Sequence, residues 1–143
     1  MKSNFTDKQI QILEVAETLF ADKGFDGTSI RDISKIAKIN IAMISYYFGS
    51  KERLLESLLF YRTSDLKNQL DHLILEELEP IDKINKLIEL YINRINKNKG
   101  IYRIIHFEFN SEKRAKSLSA FSELKKGNLK TLETIIEEGQ KKG

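Results

Sequence analysis

The 143-residue chain is predicted to be all-α, and three observations carry that prediction. Apolar residues recur three or four apart through most of its length, no segment alternates with period two for long enough to make a strand, and residues that cap helices stand at the head of the apolar runs. The composition agrees: 41% hydrophobic and 31% charged residues, with one proline and seven glycines, describe a folded, helix-prone chain and exclude disordered and fibrous classes. The predicted organisation is an N-terminal three-helix unit over residues 1–50 and a second helical unit over residues 51–143.

Thr6 or Asp7 caps a first helix whose Ile12, Ala16, Leu19 and Phe20 share a face, with Gly24 as its stop. After the turn "GFDG", Ser29 opens "SIRD", in which the serine caps a helix start and Asp32 reaches back from the third position, a weaker form of the capping box. Ile30, Ile33 and Ala37 then face inward. "AKIN" breaks the period, and Asn40 caps a short helix through Phe48. "FGS" ends that helix. Ser50 caps a long one from Lys51 to about Glu77, with Leu55, Leu58, Leu59, Leu66 and Leu73 as an intermittent stripe. Pro80 suits the first turn of the next helix, which buries Ile84, Leu87, Ile88, Tyr91 and Ile95 on one face and stops near Gly100. "IYRIIHFEF" is apolar on nearly every side, as expected of a helix enclosed by others. "NSEKRAKSLSA" reads as a polar linker, and the last helix carries Leu124, Leu129, Leu132, Ile135 and Ile136.

Several function classes drop out on composition. The absence of cysteine removes disulfides, thiolate metal sites and cysteine nucleophiles, and fits a reducing cytosol. The N-terminus "MKSNFTDKQI" lacks the apolar run of a secretory signal, and no apolar stretch approaches the ~20 residues that span a bilayer, so a cytoplasmic location is expected. His72 lies beside Asp71, and His106 lies two residues before Glu108, but neither spacing puts both side chains on one helical face. With no glycine-rich phosphate loop either, the chain is read as not an enzyme, with no metal and no cofactor. The lysines from Lys113 to Lys142 read as a solvated face. A net charge of +3 and a pI near 9.0 allow a nucleic-acid partner. Through Arg53, however, eight Lys/Arg face seven Asp/Glu, so a polyanion would be held by a few well-placed donors and not by bulk charge.

The stretch Ser29 to Phe48 has the geometry of a helix-turn-helix: two short helices joined by about three residues, with Ile33, Ala37, Ile39, Ile44 and Phe48 inward and small Ser34 at the crossing. The second helix then presents Ile41, Ala42, Met43, Ser45, Tyr46 and Tyr47 on its other face. Small and apolar side chains there suit base edges and thymine methyls, tyrosine hydroxyls suit phosphates, and the helix starts at Ser29 and Lys51 offer free N–H groups to phosphate oxygens.

The residues "ILEVAETLFADKGFDGTSIRDISKIAKIN" and "IAMISYYFGSKERLL", Ile12 to Leu55, closely resemble the DNA-binding domain of the tetracycline-repressor (TetR) family of bacterial transcriptional regulators. The resemblance implies phosphate contacts from Thr28, Ser29, Tyr47 and Lys51, and places Ile41, Ala42, Met43, Ser45 and Tyr46 in or beside the major groove. It departs from the family at Lys38, where glycine is usual and a left-handed backbone would cost about 1–2 kcal/mol, so a reshaped turn is one outcome. It departs again at Met43, where a small hydroxyl residue is common. The resemblance further implies a helical ligand-binding and dimerisation domain, with Phe60, Tyr61, Tyr91, Tyr102, His106, Phe107 and Phe109 as candidates for a small apolar or aromatic ligand. In the family, a segment similar to "TIIEEGQKKG" is followed by helices that pair two subunits. Three expectations stay open: a shortened chain, a dimer through another surface, or no stable dimer.

The function implied is a repressor that binds a palindromic operator in double-stranded DNA as a homodimer and is released by a small molecule. The alternatives are a helix-turn-helix DNA-binding protein without a small ligand, favoured by a filled rear core, and a helical protein-interaction module, favoured by the absence of salt-dependent DNA binding.

Overall fold

The structure, a computed structural model, describes residues 4–110, 114 and 119–143. Its helices run α1 (Asp7–Lys23), α2 (Ile30–Ala37), α3 (Ile41–Phe48), α4 (Lys51–Leu75), α5 (Pro80–Lys97), α6 (Lys99–Phe109) and α7 (Ser119–Lys142), with no strand among the described residues. The expected polar linker "NSEKRAKSLSA" falls largely outside the described residues, as does the side chain of Leu124.

The first three helix starts are set by local chemistry. Thr6, not Asp7, caps α1: its hydroxyl accepts from Gln9 N at 3.3 Å, and Gln9 Oε1 accepts from Thr6 N at 2.9 Å, a complete capping box. Ser29 and Asp32 form the second such box, at 3.1 and 3.0 Å. Asn40 Oδ1 accepts from Ala42 N at 2.8 Å and starts α3. Gly24 stops α1 at φ 78°. Gly27 closes the following turn for a steric reason, since a Cβ there would stand 2.3 Å from the Lys23 carbonyl oxygen.

Two cores follow. The first joins Ile12, Leu13, Ala16, Leu19, Phe20 and Phe25 to Ile33, Ile44 and Phe48, and is completed from beyond residue 50 by Leu54, Leu55, Leu58 and Leu59 of α4 and by Ile101 and Ile104 of α6. The second gathers Leu66, Leu70 and Leu73 of α4 with Leu87 and Ile135. α4 therefore belongs to both.

The rear helices depart from their sequence reading in orientation. α5 buries Pro80, Lys83, Leu87 and Arg94, while Ile88 and Ile95, expected inward, are 51% and 45% exposed. The reason is that Lys83 and Arg94 find acceptors inside: Lys83 Nζ donates to Ile74 O at 2.7 Å, and Arg94 donates to both Asp65 carboxylate oxygens at 3.1 Å and to Arg62 O at 3.0 Å. α6 is not enclosed on every side either. Its Ile101 and Ile104 are buried, but Phe107 is 63% exposed. In α7, Thr131 and Ile135 pack inward, whereas Leu129 and Ile136 are exposed. α4 ends at Leu75, two residues before the expected stop, and the break between α5 and α6 comes at Asn98, ahead of Gly100.

Lys38 does adopt the left-handed conformation, at φ 54° and ψ 39°, so the turn keeps the shape that a glycine would give it. Lys38→Gly is expected to raise the unfolding free energy by about 0.5–1 kcal/mol, read from the urea midpoint, because relief of the 1–2 kcal/mol strain is partly offset by the entropy of a freer unfolded chain. Asp32 offers a second check. Its carboxyl is held below the ordinary 3.8 chiefly by the Ser29 backbone N–H and then by the Ser29 hydroxyl. A depressed carboxylate stabilises the fold above its unfolded value, and that contribution is lost as pH falls through the folded one. An NMR titration should find the Asp32 midpoint below 3.8, and Ser29→Ala should raise it part of the way back.

Candidate nucleic-acid interface and rear cavity

The turn between α2 and α3 is closed from within. Ser34 Oγ donates to Ile39 O at 2.7 Å, and Gln11 on α1 donates Nε2 to Ala37 O at 2.9 Å. Ile44 and Phe48 are committed to the core, so the opposite side of α3 has nowhere to go but outward. Tyr46 is 86% exposed, Ile41 40% and Met43 37%, and Ala42 and Ser45 are exposed beside them. Tyr47 is half-buried, its ring 5.7 Å from that of Tyr46 and 6.3 Å from that of Phe48. These six predicted residues form one continuous, uncharged face. Ile36 on α2, 58% exposed, is a further exposed apolar residue that the sequence reading left out; its helical position lies beside the buried Ile33–Ala37 stripe, which periodicity alone does not separate from it.

The four residues expected at phosphates divide differently. Ser29 is exposed at the start of α2. Tyr47 keeps part of its surface at the rim. Thr28 does not fit its expected role: it is only 1% exposed, and its hydroxyl faces Gly24 O at 2.9 Å and Leu19 O at 3.2 Å. Its side chain satisfies the carbonyl end of α1 and holds the turn that delivers Ser29. Lys51, half-buried, turns two of its three donors inward, to Phe25 O at 2.8 Å and Thr28 O at 3.0 Å, with the ammonium 4.2 Å from the centre of the Phe25 ring. It fastens the start of α4 to the turn before α2.

The rear of the molecule holds the same turn. Glu108 on α6 accepts from Phe25 N at 3.2 Å and pairs with Arg114 at 3.1 Å, and the Arg114 guanidinium lies 3.9 Å from the Phe25 ring centre. Arg114 also reaches Asp26 at 2.7 Å. A second tie joins Arg62 on α4 to Glu17 on α1 at 2.6 Å. Burial works against the Arg62 charge, but the Glu17 carboxylate outweighs it and holds the guanidinium protonated.

Two cavities open among α4 to α7. The smaller, about 360 Å³, has an almost wholly apolar wall of Leu66, Leu87, Ile105, Leu129 and Leu132, with Tyr91, Tyr102 and Phe109. Burial, reinforced by Tyr102, pushes the Tyr91 hydroxyl above its ordinary 10.0, against the opposing Arg94 charge. The larger, about 630 Å³, lies between α4 and α7 and is lined by Phe60 and by polar residues such as Ser64, Asn68 and Asp71. Of the seven predicted ligand residues, four thus face a cavity: Phe60, Tyr91, Tyr102 and Phe109. Tyr61 instead packs edge-on against Phe5 at 6.0 Å as part of the first core. His106 and Phe107 point outward and line neither cavity. Thr63 and Asn128, which line both, were not predicted; a mid-helix threonine and an asparagine carry no pattern that marks them.

Among the described residues no three His, Cys, Asp or Glu side chains are placed to hold a metal ion, and no helix is long and apolar enough to cross a membrane.

Comparison with known proteins places this geometry. Residues 12–58 match the profile of a family described as bacterial regulatory proteins, tetR family. The HTH-type transcriptional repressor NicS of Pseudomonas putida is 31% identical over 141 residues, an alignment covering 92% of this chain and 63% of that protein. The probable HTH-type transcriptional regulator YttP of Bacillus subtilis is 52% identical over 58 residues, covering 41% of this chain and 27% of its own length. The chain therefore spans less than two thirds of either relative. Among solved structures, HlyIIR, a hemolysin II transcriptional regulator, is 30% identical with a TM-score of 0.78, over 95% of this chain and 74% of that one. The ketosteroid transcriptional regulator KstR2 of Mycobacterium tuberculosis shares the fold at a TM-score of 0.85 and 20% identity, over 100% of this chain and 74% of its own.

Lys51→Met is expected to lower the unfolding free energy of the chain by about 1–3 kcal/mol in urea denaturation, because it removes two charge-assisted hydrogen bonds while keeping the apolar stem.

Proposed function

The chain belongs to the TetR family of bacterial transcriptional regulators, and we propose that it acts in the cytoplasm as a repressor, binding a palindromic operator as a homodimer and leaving it when a small molecule enters the rear cavity. The observation that carries the DNA-binding part is the exposed, uncharged face of α3, flanked by the helix starts at Ser29 and Lys51. In a dimer on a palindrome, two such faces enter successive major grooves about 34–36 Å apart. Ser29, Tyr47 and the remaining donor of Lys51 then meet phosphates, while Ile41, Ala42, Met43, Ser45 and Tyr46 meet the groove.

The smaller cavity supports the ligand part, and counts against a reading in which the rear helices only fill a core. Its apolar wall, which includes Tyr91 and Tyr102, suits a small, largely apolar molecule. The cavity also shares walls with the two helices that hold the reading head. Leu66 is on α4, which Lys51 ties to Phe25, and Ile105 and Phe109 are on α6, whose Glu108 holds the Phe25 N–H. A ligand that shifts either helix moves the turn in front of α2. To release nearly all of a bound population, it must favour the released state by roughly 5.5 kcal/mol.

Footprinting should reveal a protected palindrome. Tyr46→Ala and Tyr47→Phe should each weaken operator binding about 5- to 30-fold at fixed salt, the loss of one hydrogen bond or contact patch of ~1–2 kcal/mol. Unchanged affinity in both variants would remove α3 as the reading element. For the ligand, an apolar carboxylate and carbonyl library should yield compounds that raise the melting temperature and lower operator affinity together. Leu66→Trp, which fills the cavity, should abolish both responses.

A further inference from the structure

Which base chemistry α3 can read is limited by the side chains it carries. In the major groove, Arg or Lys pairs with guanine, Asn or Gln with adenine, and Glu or Asp with cytosine. Ile41–Phe48 contains none of these residue types, and its exposed Ser45 is of a type that can bond more than one base edge and so selects little. Asn40, just ahead, has its Oδ1 on the Ala42 N–H as the helix cap. What α3 does expose is Ile41, Ala42 and Met43, followed by Ser45 and Tyr46. The base-edge group that apolar side chains recognise is the C5 methyl of thymine.

We infer that this chain reads its DNA site through thymine methyl groups packed against Ile41 and Met43. The inference rests on the DNA-binding reading above and adds to it the base chemistry. Phosphate contacts then supply affinity and register without sequence information. Exposed basic residues on the flanks are placed to make them, with Arg31 and Lys35 on α2, Lys38 in the turn and Arg53 early in α4. The division of labour accounts for a head whose charge is nearly balanced and whose reading helix is uncharged. It also requires each half-site to place at least two thymines in the steps that α3 covers, since a single methyl offers little area.

The test alters the DNA first. Duplexes bound by the full chain are selected from a random pool, and each thymine of the best duplex is replaced in turn by deoxyuridine, which removes the methyl and keeps the pairing. At least two positions per half-site should each weaken binding about fourfold, the factor for one buried carbon group. Replacing such a T·A pair by 5-methylcytosine·G should retain more affinity than cytosine·G at the same step. The exposed-face variant Ile41→Ala/Met43→Ala should bind the thymine and uracil duplexes equally. Salt-dependent binding that no uracil weakens would overturn the inference and leave the DNA-binding reading standing. No salt-dependent binding to any duplex would overturn both.

Discussion

Packing of the first half of α4 against α1, in a core that α6 completes, is the constraint on which both ends of the molecule depend. Leu54, Leu55, Leu58 and Leu59 are almost entirely buried among Ile12, Leu13, Ile101 and Ile104, and each such side chain contributes about 1.5–3 kcal/mol. Because α4 continues unbroken to Leu75, the rod that closes the head core also carries Leu66, Leu70 and Leu73 into the rear core. One helix therefore contributes to both cores.

Polar contacts give that mechanical continuity a direction. Both backbone groups of Phe25 are held by charged side chains from different helices: the carbonyl by Lys51 of α4, the N–H by Glu108 of α6. Charge-assisted hydrogen bonds of this kind are roughly twice as strong as neutral ones. Thr28, three residues on, is fixed to the end of α1 and to the same lysine. The start of α2 is thus positioned by α1, α4 and α6 together, and α3 follows α2 through the Ser34 to Ile39 hydrogen bond. Thr28, which the family resemblance assigns to a phosphate, is in this way part of the support of the turn itself.

The N-terminal helix-turn-helix is largely legible in the sequence, because its determinants are short-range. Ser29 with Asp32, and Asn40 with Ala42, need only neighbours two or three residues away, and the alternation of buried Ile44 and Phe48 with exposed Met43 and Tyr46 follows from helical periodicity. α5 shows where such reasoning stops. It carries isoleucines on more than one side, and the pattern alone favours Ile88 and Ile95 as core. The structure buries Lys83 and Arg94 in their place, since Asp65 and the carbonyls of Ile74 and Arg62 lie within reach. Those partners are 9 to 32 residues away in sequence.

The cavity residues divide on the same principle. An aromatic on a helix has the same signature whether it meets a core, a cavity or water, so Tyr91, Tyr102 and Phe109 are indistinguishable in sequence from Tyr61 and Phe107. By itself the sequence determined the helical class, the caps, α3 and its uncharged outer face, because hydrogen bonds and periodicity within a few residues suffice for them. Only the tertiary structure decided which face of α5 and α6 is buried, which aromatics border empty space, and that Thr28 and Lys51 turn inward to Phe25 and its neighbours. Those outcomes depend on partners brought together by the fold, and no local pattern encodes the partner.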